Sequence, residues 1–338
     1  MSRRAGVAFL AAVLAPVVAV AAPRGREPQP DPRGVSPLPS YVQRVAPALL
    51  GLSVRAAEGS VSARRLGARR FGAAVLFDPR GYAVTVSYLL LDAVGVEARM
   101  RDGRRVPARV AGMDLDTGLG LIQLQGAGPF PAAALAPSQE VGPGARTATV
   151  GVDEDNDLIH TGGMVTAVRR FAAFWEYMLD RAFIVSPALP GSWGGSALVD
   201  EAGGVIGIVS LRLGEAPHAN LAIPAEKFLP VKDELVASGR VTSRPPRPWI
   251  GLYTVSFGGA VYVDGVNEAG PAAGAGFRRG DQIVRVDGVS VNSQEEFYER
   301  MWRRRAGDTI EVGVRRADSE RVISVRSIDR HRLYRASE

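Results

Sequence analysis

The amino-acid sequence predicts a mostly all-β protein, a large block of many short strands followed by a smaller α+β domain. Apolar runs along most of the chain are short and bounded by turn residues, and helix signals are sparse. Two proline-rich breaks, at residues 22–39 and 243–248, leave segments of about two hundred and about eighty to ninety residues, both ordinary domain sizes.

The chain opens on Arg3 and Arg4, continues through an uncharged apolar stretch over residues 5–22, and reaches the small-residue pattern Ala19-Val20-Ala21. Basic start, apolar middle and Ala-x-Ala site are the three parts of a secretory signal, so residues 1–21 are expected to be removed after export to the periplasm or the extracellular space. The stretch is at the short limit for crossing about 30 Å of hydrocarbon and Pro16 interrupts it, so no stable membrane span is expected once the signal is cleaved. Residues 22–39 carry six prolines and no apolar periodicity, which reads as an extended linker.

Strands are expected over residues 49–54, 73–77, 83–87, 96–100, 106–110, 120–124, 147–152, 163–168, 183–186, 204–210 and 221–223. Turns at 78–81, 102–103 and 201–204 connect neighbours. Helices are expected at 40–45 and at 224–238, the second stopped by Gly239. The segment 169–181 carries Phe171, Phe174, Trp175, Tyr177 and Met178, and reads either as a partner surface or as a short helix packed on the strands. After the break at 243–248, a domain over 249–328 is expected, with a tail over 329–338. Its helix starts at Ser293 with a capping-box pattern, Ser293-Gln-Glu-Glu296, and runs through Arg304.

Composition removes several chemistries. There is no cysteine, which excludes disulfides, thiolate metal sites and cysteine nucleophiles. The three histidines, His160, His218 and His331, are far apart in sequence and form no local ligand pair, so neither a metal nor a small-molecule cofactor is expected. The formal charge of +6 comes with 39 arginines and two lysines, Lys227 and Lys232. The arginines are spread along the chain among abundant Ala, Gly, Val and Pro, which reads as solvated faces and not as a nucleic-acid surface.

The order of segments resembles the trypsin-like protease domain of the HtrA/DegP family, here over residues 40–242. Phe71-Gly-Ala-Ala-Val-Leu-Phe-Asp-Pro-Arg-Gly-Tyr-Ala-Val-Thr85 is similar to that family's Gly-Ser-Gly-Phe-Ile…Gly-Tyr-Ile-Leu-Thr strand pair. Residues 101–114 are similar to its Asp-Gly-Arg…Val-Val-Gly-Asp stretch, and 203–208 followed by 221–224 to its closing strands. The fold implied is a double six-stranded β-barrel. Proteolysis on that fold needs a serine nucleophile, a histidine base and an aspartate that orients the histidine. At the three matching positions this chain has Trp193, Tyr88 and Gly118. A phenol titrating near pH 10 is no general base at neutral pH.

Of the catalytic apparatus the resemblance leaves only backbone, the oxyanion-hole amides at Gly191 and Trp193. The Trp193 indole either fills the cleft or stacks on a peptide. Ser192 and Ser196 flank the lost serine without inheriting its geometry, and His160 lies far downstream of the base position.

From Trp249 onward the chain resembles an HtrA-type PDZ domain, on Trp249-Ile-Gly-Leu252 and on Gly270-Pro-Ala-Ala-Gly-Ala-Gly-Phe-Arg-Arg-Gly-Asp-Gln-Ile-Val-Arg-Val-Asp-Gly288. Such domains add a peptide's C-terminal segment as a strand and hold its carboxylate on backbone N–H groups. The resemblance implies that Trp249, Ile250, Gly251 and Leu252 form the carboxylate loop. Phe297 and Met301 either line the side-chain pocket or simply pack the core.

The reading is therefore an exported pseudoprotease that binds polypeptide C-termini, unfolded envelope proteins or an active HtrA relative. The competing reading is an active serine endopeptidase with a non-standard residue set. The family also implies a homo-trimer built through the N-terminal region, although residues 22–39 lack the aromatic contacts that would support one.

Overall fold

A computed structural model describes residues 38–191, 194–214 and 218–334. The expected signal, nearly all of the proline-rich segment, Ser192, Trp193 and the last four residues lie outside the described residues.

A short helix, α1 (Ser40–Val45), leads into six strands: β1 (Leu49–Ala56), β2 (Arg69–Asp78), β3 (Tyr82–Val86), β4 (Ala93–Arg99), β5 (Arg105–Asp114) and β6 (Leu119–Leu124). They close into a barrel in the order β1-β2-β3-β6-β5-β4. Helix α2 (Val61–Leu66), capped by the Ser60 hydroxyl, joins β1 to β2, and one helical turn, α3 (Ser87–Leu90), follows β3. A second barrel follows from β7 (Arg146–Val152), β8 (Leu158–Ala173), β9 (Tyr177–Ser186), β10 (Ala197–Val199), β11 (Val205–Leu213) and β12 (Ala219–Pro224), closed as β10-β11-β12-β9-β8-β7. Closure leaves no bare edge on either sheet. Both interiors are filled by small and branched side chains, such as Leu49, Val75, Val84 and Ile122 in the first and Val165, Phe183, Leu198 and Val209 in the second.

After the barrels the expected helix over 224–238 divides. Pro224 ends β12, a 3-10 turn covers Ala225–Lys227, and α4 covers only Lys232–Ser238. Pro230, which has no N–H, sits in the gap. Residues 242–248 are tied to α4 and to the first barrel. The Glu234 carboxylate accepts from the Thr242 and Ser243 amides, Arg244 pairs with Asp114, and Arg247 reaches Asp116 at 3.5 Å.

The C-terminal part begins with β13 (Pro248–Trp249), β14 (Leu252–Phe257) and β15 (Ala260–Val266). Then come α5 (Pro271–Ala275), β16 (Gln282–Val286), β17 (Val289–Ser290), α6 (Gln294–Met301), β18 (Thr309–Arg316), β19 (Ser319–Arg326) and β20 (Ile328–Asp329). Its sheet runs β14-β15-β16-β18-β19, so β14 is an edge strand. The Ser293 hydroxyl accepts from the Glu296 amide, as the capping box predicts, but α6 ends at Met301 and does not reach Arg304. β20 pairs with β13, which returns the chain end to the start of this part. The double barrel with a small α+β domain is the fold class expected from the sequence.

The segment 169–181 departs from expectation. It is neither a helix nor a free surface. β8 and β9 run on as a long hairpin, pairing Ala173 with Tyr177 at its tip, and Phe174, Trp175 and Glu176 form the turn. Among the described residues no helix is long and apolar enough to cross a membrane.

Candidate functional site

Two places concentrate polar groups that local packing alone does not require. The first is the seam between the barrels. β3 ends at Val86 and α3 begins at once, which turns Tyr88 away from the first barrel toward β11 of the second. The Tyr88 hydroxyl donates to the Ser210 carbonyl at 2.8 Å. A Cβ built on Gly194 would overlap that hydroxyl, so the ring is accommodated only because residue 194 has no side chain. Burial pushes the phenol well above the ordinary tyrosine range, and with its proton on a carbonyl it has no basic role at neutral pH.

Gly118 lies on the same side of the seam, in the turn between β5 and β6 of the first barrel, at φ +80°, and its carbonyl accepts from the Ser87 amide at 2.7 Å. Tyr177 fills the space beside it. Ring and hydroxyl atoms stand 3.0 Å from where a Cβ would be, and the hydroxyl donates to the Thr117 carbonyl at 2.8 Å. Burial, reinforced by the Asp114 carboxylate, raises this phenol as well. Asp114 itself is committed elsewhere, accepting from the Thr117 hydroxyl at 2.7 Å and pairing with Arg244.

The turn that carries residues 191–195 is partly described. Gly191 has φ +59° and is exposed, while Ser192 and Trp193 lie outside the described residues. Gly194 accepts from the Ala73 amide at 2.9 Å, and the Gly195 amide donates to Val209 at 2.8 Å, which stitches the turn to both barrels. Gly195 has φ +98° with its α-carbon against the Ala73 carbonyl, where no side chain fits. Ser196 is fully buried, with its hydroxyl facing Gly151 of β7. His160 pairs opposite Val150 on β8 and its side chain is exposed.

The second place is the groove between β14 and α6. Gly251, at φ +88°, lets the chain 250–252 turn closely under Trp249 and past Gly270, which points three successive amides the same way. All three donate to one carboxylate, that of Glu176 at the tip of the β8–β9 hairpin. The distances are 3.1 Å from Ile250, 2.7 Å from Gly251 and 2.6 Å from Leu252. The Phe174 carbonyl takes the Thr254 amide of β14 at 2.9 Å, and the Tyr298 hydroxyl of α6 donates to the Ala173 carbonyl at 2.7 Å. Phe297 and Met301 are fully buried, and Met178 of the hairpin packs in the same apolar cluster.

Burial pushes Glu176 up to about 7, against the three amides and Arg330, which favour its ionised form. Asp116, Arg247, Asp329, Arg330 and His331 line the adjoining cavity with it. Among the described residues no cluster of three or more His, Asp or Glu side chains could hold a metal ion.

Comparison with known proteins gives both parts a family. Residues 72–208 match the trypsin-like peptidase domain and residues 248–326 match the PDZ domain. The chain is an HtrA/DegP-like pairing of a trypsin-like domain with a PDZ domain. Its relatives include the "Serine protease Do-like HtrA" of Lactobacillus helveticus, 27% identical over 70% of this chain and 62% of that protein. The "Serine endoprotease DegS" of Escherichia coli is 27% identical over 84% of this chain and 83% of its own length. The "Probable periplasmic serine endoprotease DegP-like" of Halomonas elongata is 28% identical, over 76% of this chain and 56% of that protein. Among solved structures, the HtrA-type protease AlgW with a tripeptide superimposes with a TM-score of 0.54 at 24% identity, over 85% of this chain and 95% of that one. The serine endoprotease from Yersinia pestis superimposes with a TM-score of 0.53 at 24% identity, over 86% and 96%.

In the trypsin-like domain, Tyr88 and Gly118 therefore stand on the inter-barrel seam, each covered or filled by a phenol. In the PDZ domain, Trp249, Ile250, Gly251 and Leu252 form the amide-bearing loop, while Phe297 and Met301 are closed off from solvent. Of the two hairpin residues that complete these sites, sequence reasoning missed Glu176 and named Tyr177 only among the aromatics of the 169–181 segment. The one available signal was an acid set among aromatics, Phe174-Trp175-Glu176-Tyr177, directly upstream of the barrel's last strands.

Proposed function

We propose that this chain is an exported pseudoprotease that binds polypeptide C-termini or unfolded envelope proteins through its PDZ domain without cleaving them, as a chaperone, adaptor or regulator. The observation that carries this reading is Tyr88. At the base position stands a phenol that donates its proton to the Ser210 carbonyl and is held neutral by burial. Acyl transfer needs a group that accepts the nucleophile's proton, and Tyr88 is in the opposite role.

Three further features support it. Gly118 supplies no carboxylate, and the space beside it is taken by Tyr177. Ser196 is buried against β7. The three amides at 250–252 converge on a carboxylate, the chemistry by which a PDZ loop captures a chain terminus. Export rests on residues 1–21, and relatives named as periplasmic point to the same compartment. An active HtrA relative is a fitting partner, because a binding subunit without its own chemistry can deliver a client to one that has it.

The test is fluorophosphonate labelling of the purified chain together with casein cleavage. The reading predicts no label on any serine and intact casein. Labelling of Ser192 or Ser196 would overturn it in favour of an active endopeptidase.

A further inference from the structure

We infer that the PDZ groove of this chain is occupied by an internal ligand, the turn Phe174-Trp175-Glu176, and that a polypeptide C-terminus enters only by displacing it. The inference rests on the proposed peptide-binding role of the PDZ domain and adds how that role is restrained.

Each feature by which such a groove holds a chain end is already matched from within. The Glu176 carboxylate takes the Ile250, Gly251 and Leu252 amides, so no donor of that loop is left for a second carboxylate. The Phe174 carbonyl takes the Thr254 amide on the open edge of β14, where an added strand would pair. Tyr298 on the opposite wall donates to the Ala173 carbonyl and accepts from the Glu176 amide at 3.3 Å. Met178 packs with Phe297 and Met301, and all three are buried.

Glu176 also adopts φ +54°, a conformation a glutamate keeps only when its surroundings impose it. The docked contacts do so here. Because the hairpin belongs to the same chain, it competes at an effective concentration of order millimolar, and a free peptide of micromolar intrinsic affinity binds correspondingly weakly. The ligand class follows from the mimic. It is an extended chain end with a free carboxylate to replace that of Glu176 and a backbone carbonyl to replace that of Phe174.

The test uses the full-length chain and a decapeptide that copies residues 167–175 and ends in alanine, labelled at its N-terminus with fluorescein, so that the terminal carboxylate is the only one the peptide itself carries and the dye is common to the free acid and the amide. Anisotropy titrations compare the wild-type chain with Glu176→Ala, against the free-acid peptide and its C-terminal amide. Glu176→Gln, which keeps the side-chain shape, stands in if the alanine variant does not fold. The expected result is at least ~10-fold tighter binding of the free acid by the variant, with the amide bound weakly by both proteins.

Equal binding of the free acid by both proteins overturns the internal ligand and leaves the peptide-binding role standing. If neither binds, the peptide-binding role fails, and hydrogen exchange at the amides of residues 250–252 and 254 decides the internal ligand by itself. Exchange at least ~10-fold faster in the variant supports it, and unchanged exchange overturns it.

Discussion

The inter-barrel seam and the PDZ groove are filled in opposite ways. At the seam two phenols fill the space beside α3 and Gly118, Tyr88 donating to Ser210 and Tyr177 to Thr117. In the groove the binding chemistry is intact and is met by a side chain from elsewhere in the same molecule. The contrast follows from where each chemistry resides. Proteolysis depends on three particular side chains, and each can be lost by one substitution. Carboxylate capture depends on backbone amides, which substitutions of their own side chains do not remove, so it is suppressed by occupying it. On the proposed reading, a seam without those side chains stays closed, whereas an occupied groove can be reopened.

Substitutions that break this contrast should differ in size. The largest effect is expected at Gly195, where alanine would meet the Ala73 carbonyl at φ +98°. Gly195→Ala should cost at least about 4 kcal/mol in urea unfolding, because backbone must move to admit it. Next comes the pH dependence of the groove. The Glu176 carboxyl sits at about 7 in the folded chain, and once exposed it titrates near ~4.3.

The folded state therefore holds a proton that the unfolded state has lost between these values. Its contribution is full below the lower value and is lost as pH rises through about 7. The stability of the wild type relative to Glu176→Gln should fall by about 3 kcal/mol between pH 4 and pH 8. A flat difference would mean that the carboxyl is not docked in the groove.

The seam should give smaller numbers. Gly118→Ala, with Tyr177 at 3.0 Å and φ +80°, should cost about 2 kcal/mol. Tyr88→Phe removes the donor to Ser210 and should cost about 1 kcal/mol, with no proteolysis gained, since the phenol is structural.

The barrels were legible because each strand carries its own signal, a short run of Val, Ile, Leu or Ala between Gly, Asp or Pro turns. Helix α1 was equally local. The division of 224–238 is marked locally by Pro230, which has no N–H, and α6 ends at Met301, three residues short of the expected Arg304. Of the β8–β9 hairpin, the parts at 163–168 and 183–186 were legible as strands, and its extension over 169–181 was not. Phe171, Phe174, Trp175 and Met178 fall at i, i+3, i+4 and i+7 and so imitate a helical face, but Phe171, Trp175 and Tyr177 pack with the barrels, while Phe174 meets Tyr253 and Met178 joins the cluster of residues 250–325. Tyr88 could be placed from its neighbours in sequence, but the carbonyl that takes its proton lies 122 residues away. Glu176 is one of 35 acidic residues, and nothing near it in sequence marks the three amides 74 to 76 residues downstream.

The central claim is binding without cleavage, and one measurement addresses both halves. Unfolded casein is incubated with the Glu176→Ala chain, the complex is isolated by size exclusion, and the casein it carries is weighed by intact-mass spectrometry. The account predicts casein retained in the complex at its full mass. Casein recovered as fragments, with new termini that grow with time, would contradict it.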